Sequence, residues 1–253
     1  MDPLFVNFRN LGMLAVMVAA MAFAYFSGGY ADLHPVIFLA GLGVAIIISS
    51  FSALTMETPS LAVFLMISTL VAAIDEYAHT SAGTLTYFDH GVPSLLTVFG
   101  WSIFMLVMLS AARLIMKIPA FASGKYNQGG QGILRILPVL IPCVLIALTV
   151  PVLNYLPVFS PLLFLVYILL AAFSLFYAGG LPVIRNLVVL IAGLLTGCLM
   201  EYLGALEGIW TFHYGEPVSL FILLSWPLRL WTVLCLCHLA GYDICGRSAG
   251  LAG

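Results

Sequence analysis

Two glutamates interrupt otherwise apolar stretches of the sequence, and each is followed by a similar set of residues. Glu76 and Glu201 are 125 residues apart. A carboxyl group at the edge of a membrane is partly removed from water and can hold a proton for transfer. Because the two carboxyl groups recur within one motif, we expect them to share a role in proton transfer, rather than only to mark where two helices leave the lipid.

The windows that begin at the two glutamates, Glu76–Trp101 and Glu201–Trp226, are related without a gap. They share seven identities, whereas composition alone predicts roughly two in such a window. The sequence therefore indicates an internal duplication. The identical pairs are Glu76/Glu201, Tyr77/Tyr202, Gly83/Gly208, Thr86/Thr211, Ser94/Ser219, Leu95/Leu220 and Trp101/Trp226.

Aromatic residues are concentrated in the two long loops that we predict after the glutamates, Ala78–Val92 and Tyr202–Glu216. Long loops often carry function, and these can fold back into a helix bundle. Ring faces stabilise cations, so the rings are candidates for substrate contacts. An aromatic belt at the membrane surface is the alternative interpretation. The candidate rings are Tyr87, Phe88, Trp210, Phe212 and Tyr214.

Three further candidates lie deep in predicted helices. Trp101 and Trp226 are too deep for an interfacial belt, so they either face a pocket shared by the two halves or pack in the core. Arg229 follows Pro227 within the last apolar segment and requires a carboxylate or carbonyl partner, or must extend to the interface. Glu201 can be that partner only if its loop dips inward.

Glu76 and His79 form a Glu-x-x-His pattern, which places two metal ligands on one helix face. Gly204 occupies the position where a second copy of His79 would stand. We therefore predict chemistry without a metal or another cofactor, although a metal site is chemically conceivable. Other groups that could join such a site or assist proton transfer are Asp89, His90 and His213.

The composition indicates that most of the chain lies in lipid. Hydrophobic residues make up 63% of the chain, charged residues 7%, and the mean hydropathy is +1.18. Soluble domains carry about 25% charged residues. The net charge of -2 and the lack of a basic run exclude nucleic acid as a partner. Membrane lipid is the expected partner, and the sequence leaves the oligomeric state open.

We predict an all-α polytopic membrane protein of about eight transmembrane helices, built as one domain from two parallel four-helix repeats. Repeat 1 spans about residues 8–118, a central loop about 119–132, and repeat 2 about 133–243. Ala22-Phe23-Ala24 resembles a signal-peptidase site, but we expect the first segment to be retained because the second half begins with its counterpart. The predicted segments are Leu11–Phe26, Pro35–Leu54, Leu61–Glu76, Pro93–Met116, Ile133–Val150, Pro161–Ala178, Pro182–Glu201 and Val218–Leu239.

The basic residues predict the orientation of these segments. With eight spans, every Lys and Arg residue except the deeply placed Arg229 falls on one side, which the positive-inside rule makes cytoplasmic. Both termini and the central loop, which includes Lys125, are then cytoplasmic. The two aromatic loops lie at the opposite, extracytoplasmic side.

The order of residues in both windows resembles that of the membrane carotenoid hydratases of the bacterioruberin and gamma-carotene type. The first window supplies Glu76, Gly83, Tyr87, Val92-Pro93 and Trp101. The second supplies Glu201, Gly208, Phe212, Tyr214, Pro217 and Trp226. The resemblance covers these two windows, and His79, Asp89 and His90 are not part of the family's pattern.

This resemblance implies an enzyme that adds water to the terminal double bond of an acyclic carotenoid. Elementary chemistry agrees, because a carboxyl group can protonate such an alkene and aromatic faces can stabilise the resulting cation. We expect Glu201 to be the acid and Glu76 to hold the water. The same groups without the water would make a terpene cyclase. A transporter of small solutes or cations, or an accessory subunit of a membrane complex, are the non-enzymatic alternatives.

Overall fold

The computed structural model describes residues 8–30, 35–119, 133–152, 160–213 and 220–244. Within these ranges the regular secondary structure is helical apart from two strands of three residues each, which confirms the all-α prediction. Six helices there are long and apolar enough to cross a membrane, so the chain is a multi-pass membrane protein. The helices are α1 (Phe8–Ser27), α2 (Pro35–Thr55), α3 (Thr58–Ser81), α4 (Leu95–Met116), α5 (Ile133–Val152), α6 (Pro161–Ala178), α7 (Val183–Leu206) and α8 (Leu220–Leu239), and the strands are β1 (Leu85–Tyr87) and β2 (Trp210–Phe212).

Local sequence explains several helix boundaries. A proline occupies the first turn of α3 and of α6, where its missing N–H and fixed φ favour a start. The Ser160 side chain accepts a hydrogen bond from the Leu163 N–H at 3.1 Å and caps α6. Within lipid, the helical conformation satisfies the backbone polar groups of these apolar segments.

Several helices recur with the same bounds at a fixed interval. Helices α3 and α7 each have 24 residues, and α7 begins and ends 125 residues after α3. Helices α1 and α5 each have 20 residues and are separated by the same interval. Of the six helices long and apolar enough to cross a membrane, α4 and α8 are the most buried, and they form the centre of the bundle. Helix α4 packs against α1, α2, α3 and α7, and α8 packs against α3, α5, α6 and α7.

Helices α3 and α7 extend past the glutamates, which corrects the predicted ends at Glu76 and Glu201. The residues that follow each glutamate, which the sequence analysis placed in loops, instead form the last turns of α3 and α7. Each helix then ends in the same hydrogen-bonded turn around a glycine of positive φ, at Gly83 (φ 65°) and Gly208 (φ 70°). In the turn at the end of α3, the N–H group of Gly83 donates to the Thr80 carbonyl and that of Thr84 donates to the His79 carbonyl.

These turns return the chain toward the bundle as the strand pair β1–β2. The strands are antiparallel, and Thr86 pairs with Thr211 at their centre. These two threonines are 125 residues apart, so the pair is symmetric about them. The hydrogen bond from the Phe88 N–H to the Ile209 carbonyl has a counterpart from the His213 N–H to the Thr84 carbonyl. The strands thus join the two halves of the chain over the ends of α3 and α7.

Candidate functional site

A small buried cavity lies beneath the strand pair, between α3, α4, α7 and α8. Its volume is about 10 Å³, which is about the space that one water molecule requires. Both glutamates line it, and Glu76 is 3% and Glu201 5% exposed. The candidates from the sequence that line the cavity are Glu76, His79, Tyr87, Trp101, Glu201, Trp210, Phe212, Trp226 and Arg229.

The strands aim their alternate side chains at this cavity. Tyr87, Trp210 and Phe212 are buried, whereas Thr86 and Thr211 point away from it. This alternation follows from the period of two in a β-strand. The predicted long loops are thus largely replaced by the last turns of α3 and α7 and by one short strand each. They fold back into the bundle, as expected, but as strands.

Each glutamate accepts a hydrogen bond from an aromatic residue of its own half. The Tyr87 hydroxyl donates to Oε2 of Glu76. Burial, and secondarily the neighbouring Glu76 carboxyl, raise the pKa of Tyr87 well above its ordinary value, so the phenol keeps its proton. In the second half Phe212 stands at the equivalent position and has no hydroxyl. There the Trp226 indole N–H donates to Oε1 of Glu201 at 2.8 Å.

The partner of Arg229 is Asp75. Nη2 of Arg229 donates a hydrogen bond to Oδ2 of Asp75 at 2.7 Å, and both side chains are almost fully buried. The partner is thus a carboxylate, one of the options that the sequence allowed, but it belongs to Asp75 and not to Glu201. The guanidinium also lies over two indole rings, at 4.2 Å from the Trp101 centroid and 4.8 Å from that of Trp226. The two indoles are themselves 4.6 Å apart between centroids, so they pack around Arg229 as well as line the cavity.

His79 extends this polar cluster toward α6. Its Nε2 lies 3.0 Å from the Tyr167 hydroxyl and its Nδ1 lies 2.9 Å from the Thr84 hydroxyl. The same Nε2 is 3.9 Å from Oδ2 of Asp75. His79, Asp75, Arg229 and Tyr167 therefore form one buried polar cluster that links α3, α6 and α8 beside the cavity. Within the described residues, Nε and Nη1 of Arg229 are buried and have no hydrogen-bond partner.

The structure does not bring Asp89 or His213 to the cavity. Asp89 accepts hydrogen bonds from the Gly91 N–H and the Ser94 hydroxyl, both at 2.9 Å, and so stabilises the loop before α4. His213 is exposed and lies 2.6 Å from the Thr86 hydroxyl through its Nε2, on the outer face of the strand pair. Phe88 is 40% exposed and contacts the Tyr30 ring. Tyr214 lies outside the described residues.

Sequence reasoning missed three residues at the site: Asp75, Thr97 and Tyr167. Asp75 could have been found, because a buried arginine requires an anion and Asp75 lies within an apolar segment. Thr97 and Tyr167 gave no comparable signal, since hydroxyl side chains are common in membrane helices. Among the described residues no three His, Cys, Asp or Glu side chains form a metal-binding group. Whether the chemistry needs a metal therefore stays a prediction.

A second cavity adjoins the first. It is an apolar groove between α2, α4 and α7 with a volume of about 340 Å³. Thr97, Met200 and Trp210 line both the groove and the small cavity. A third cavity of about 490 Å³ lies at the opposite end of the bundle and is lined by Arg113, Lys117 and Arg185. The acidic site and these basic residues thus lie toward opposite ends of the helices.

Comparisons with protein-family models, with curated proteins and with solved structures gave no match.

Proposed function

We propose that this protein is an integral membrane enzyme that adds water to a terminal double bond of an acyclic isoprenoid, such as a carotenoid. One observation carries the proposal. Glu76 and Glu201, which stand at equivalent places in the two windows, line a single buried cavity with aromatic walls and room for about one water molecule. Two carboxyl groups with separate hydrogen-bond partners are suited to acid and base roles on one substrate.

The reaction begins with the transfer of a proton from the Glu201 carboxyl group to the less substituted carbon of the double bond. The π electrons form the new C–H bond, and a tertiary carbocation remains. The oxygen of a water molecule then forms the C–O bond, while one proton of that water passes to the Glu76 carboxylate. The product is a tertiary alcohol, with no change in redox state, and return of the proton from Glu76 to Glu201 completes the cycle.

The surroundings suit a transient cation. The rings of Tyr87, Trp210 and Phe212 line the cavity and offer π faces to positive charge. Arg229 would repel a carbocation, but its ion pair with Asp75 at 2.7 Å neutralises it. The unfilled donors Nε and Nη1 of Arg229 supply places to hold the attacking water.

We also infer that the chain has eight spans in two parallel repeats, with both termini and the central loop in the cytoplasm. The recurrence of helix bounds at 125 residues and the symmetric pairing of Thr86 with Thr211 support the repeats. Arg113, Lys117 and Arg185, which line the cavity at the opposite end from Glu76 and Glu201, support the orientation. The catalytic end is then extracytoplasmic.

A terpene cyclase is the nearest alternative, because it would use the same acid and the same aromatic walls. The small size of the cavity, about that of one water molecule, favours a reaction that captures water over one that folds a long chain. A transporter is the second alternative, favoured by the buried charges of Asp75 and Arg229 on two different helices. An accessory subunit would not require two matched carboxyl groups.

The test uses membranes that contain the full chain, incubated with an acyclic carotenoid in deuterated water. The unmodified protein should form an alcohol with one carbon-bound deuterium, detected by mass spectrometry. Glu201→Gln keeps the shape and one hydrogen-bond acceptor but cannot supply the proton, so the rate should fall by about 10²–10⁴-fold. Glu76→Gln should reduce the rate less, or divert product to elimination or cyclisation, because the water loses its base.

Glu57→Gln is the control, since Glu57 is exposed, directly precedes the helix that carries Glu76, and lines neither the cavity nor the groove. It should leave the rate within about threefold of the parent. Deuterium incorporation that survives both substitutions at Glu76 and Glu201 would mean that these carboxyl groups are structural. If no acyclic isoprenoid is converted by the unmodified protein, the transporter becomes the leading proposal.

A further inference from the structure

We infer that the apolar groove between α2, α4 and α7 binds the unreacted hydrocarbon tail of the isoprenoid, which reaches the glutamates sideways from the lipid. This inference rests on the proposed function and names the part of the molecule that selects the substrate. It assigns the groove one occupant, a long acyclic isoprenoid chain that has one end at the cavity.

The shape of the groove fits a linear chain. It follows α4 from Leu96 to Val107 and α7 from Thr196 to Glu207, and each of these stretches rises roughly 16 Å along its helix. Its volume of about 340 Å³ lies within the range of ligand pockets, about 300–1,000 Å³. The lining is almost entirely apolar. The Thr196 hydroxyl donates within its own helix, to the Ala192 carbonyl at 2.6 Å, so it presents no free donor.

The groove ends where the reaction is proposed to occur. Thr97, Met200 and Trp210 form a shared wall, with the groove on one side and the glutamate cavity on the other. Met200 and Glu201 both line the small cavity, so a chain end that passes Met200 enters the cavity of the proposed acid. A tail held along α4 and α7 would thus place its terminal double bond at Glu201 without moving the buried polar cluster.

Among the described residues, the corresponding place in the other half holds a polar cluster, so the apolar lining is specific to one side. The residues 125 positions from Tyr167, Asp75, His79 and Arg229 are Leu42, Met200, Gly204 and Phe104. All four of these counterparts line the groove. Where the first set fills its space with a polar cluster, the second set is apolar and includes a glycine. The groove is therefore a feature of the side chains and not a general consequence of the helix arrangement.

Two glycines on α2 provide a matched pair of variants. A Cβ atom added at Gly41 or at Gly43 would meet nothing within 4 Å, so both positions accept a larger side chain. Gly41 lines the groove and Gly43 does not. The series Gly41→Ala, Gly41→Leu and Gly41→Phe should progressively fill the groove. The same series at Gly43 should leave it open, while adding equal bulk to the same helix.

The experiment measures binding and turnover separately. An acyclic carotenoid analogue that carries a diazirine in the middle of its chain is photolysed with the detergent-solubilised full chain, and labelled peptides are identified by mass spectrometry. We expect labels on α2, α4 and α7, and competition by the unmodified carotenoid. Gly41→Phe should weaken labelling by about tenfold, while Gly43→Phe, purified with the same yield and elution profile, should label as the parent does.

The outcomes separate this inference from the proposed function. Labelling of the groove by the analogue without any alcohol product would support the groove and remove the hydration reaction. Alcohol formation at the parent rate in Gly41→Phe, with labels on other helices, would overturn the groove and leave the reaction in place. Labelling by a diazirine phospholipid that the carotenoid fails to displace would assign the groove to membrane lipid and overturn the inference. A graded loss of both labelling and turnover with side-chain volume at Gly41 alone would support both.

Discussion

The two sides of the glutamate site differ although they are built from corresponding residues. On one side, α3, α6 and α8 are linked by hydrogen bonds and an ion pair among Tyr167, His79, Asp75 and Arg229. On the other side, α2, α4 and α7 surround an apolar groove. Since the backbone elements correspond, the difference arises from side chains. One side is specialised for polar contacts within the protein, and the other remains accessible to apolar molecules.

The two halves also differ in whether the larger side chain lies on the helix or on the strand. His79 on α3 and Leu85 on β1 correspond to Gly204 on α7 and Trp210 on β2. The Trp210 ring lies directly on Gly204, where an added Cβ atom would be 2.0 Å from the ring. A large ring on the strand therefore requires the smallest residue on the helix. The glycine that replaces a second histidine thus makes room for an aromatic wall at the junction of groove and cavity.

The largest effect on stability is expected from breaking the polar side. Arg229→Met leaves Asp75 buried without its partner, which should lower the free energy of unfolding by about 3–5 kcal/mol. Asp75→Leu together with Arg229→Met should recover most of that loss, because two apolar residues replace the ion pair. The stability of both variants is measured by thermal unfolding in detergent, in which tryptophan fluorescence reports the exposure of the buried indoles.

Phe104→Met is the control for this comparison, since Phe104 is the counterpart of Arg229 on the groove side. It should lower the unfolding free energy by about 1 kcal/mol. If Arg229→Met were no more damaging than Phe104→Met, the two sides would not differ in energy as their contacts indicate.

An intermediate effect on stability is expected from the hydrogen-bond donors to the glutamates, which differ between the two halves. Tyr87→Phe removes the hydroxyl that donates to Glu76 and should lower the unfolding free energy by about 1–3 kcal/mol, because a buried polar group loses its partner. Phe212→Tyr adds a hydroxyl at the corresponding place, near Glu201 instead of Glu76. It should therefore fail to restore stability to Tyr87→Phe, as chemical unfolding of the double variant would reveal. Restoration to the parent value would contradict the separate pairing of the two glutamates.

The smallest effect on stability is expected from the two glycine turns that follow α3 and α7, and it should be equal in the two halves. Gly83 and Gly208 have φ values of 65° and 70°, in the left-handed region that disfavours residues with a Cβ atom. Gly83→Ala and Gly208→Ala should each lower the unfolding free energy by about 1–2 kcal/mol. At Gly208 a Cβ atom would meet nothing within 4 Å, so backbone strain is the only penalty. Thermal unfolding that differs between the two variants by more than this range would indicate that the turns are not equivalent.

The sequence predicted the features that repeat and missed those that depend on pairing between distant residues. Hydropathy located the apolar helices, and the shared window identified Glu76, Glu201 and the two tryptophans that meet at the site. Arg229 indicated that a buried anion is required, but the sequence did not identify Asp75 as that anion, because the two are 154 residues apart and a linear pattern does not reveal which helix faces meet. The helix ends were placed too early, since Glu76 and Glu201 were interpreted as exits from the lipid when they are buried within helices. The groove had no sequence signal, because it depends on which side chains of α2, α4 and α7 meet in the fold.

The strand pair has a consequence for how such a chain can assemble. Thr86 and Thr211 face each other at its centre, and the flanking hydrogen bonds are related by the same two-fold arrangement. A strand that pairs antiparallel with its own counterpart is self-complementary, which is the geometry of an isologous dimer interface. Half of this chain, expressed alone, would expose an unpaired strand edge above its glutamate, and pairing with a second copy would cover it. The covalent connection between the halves removes the need for two identical subunits, and it is this connection that allows one side to become polar and the other apolar.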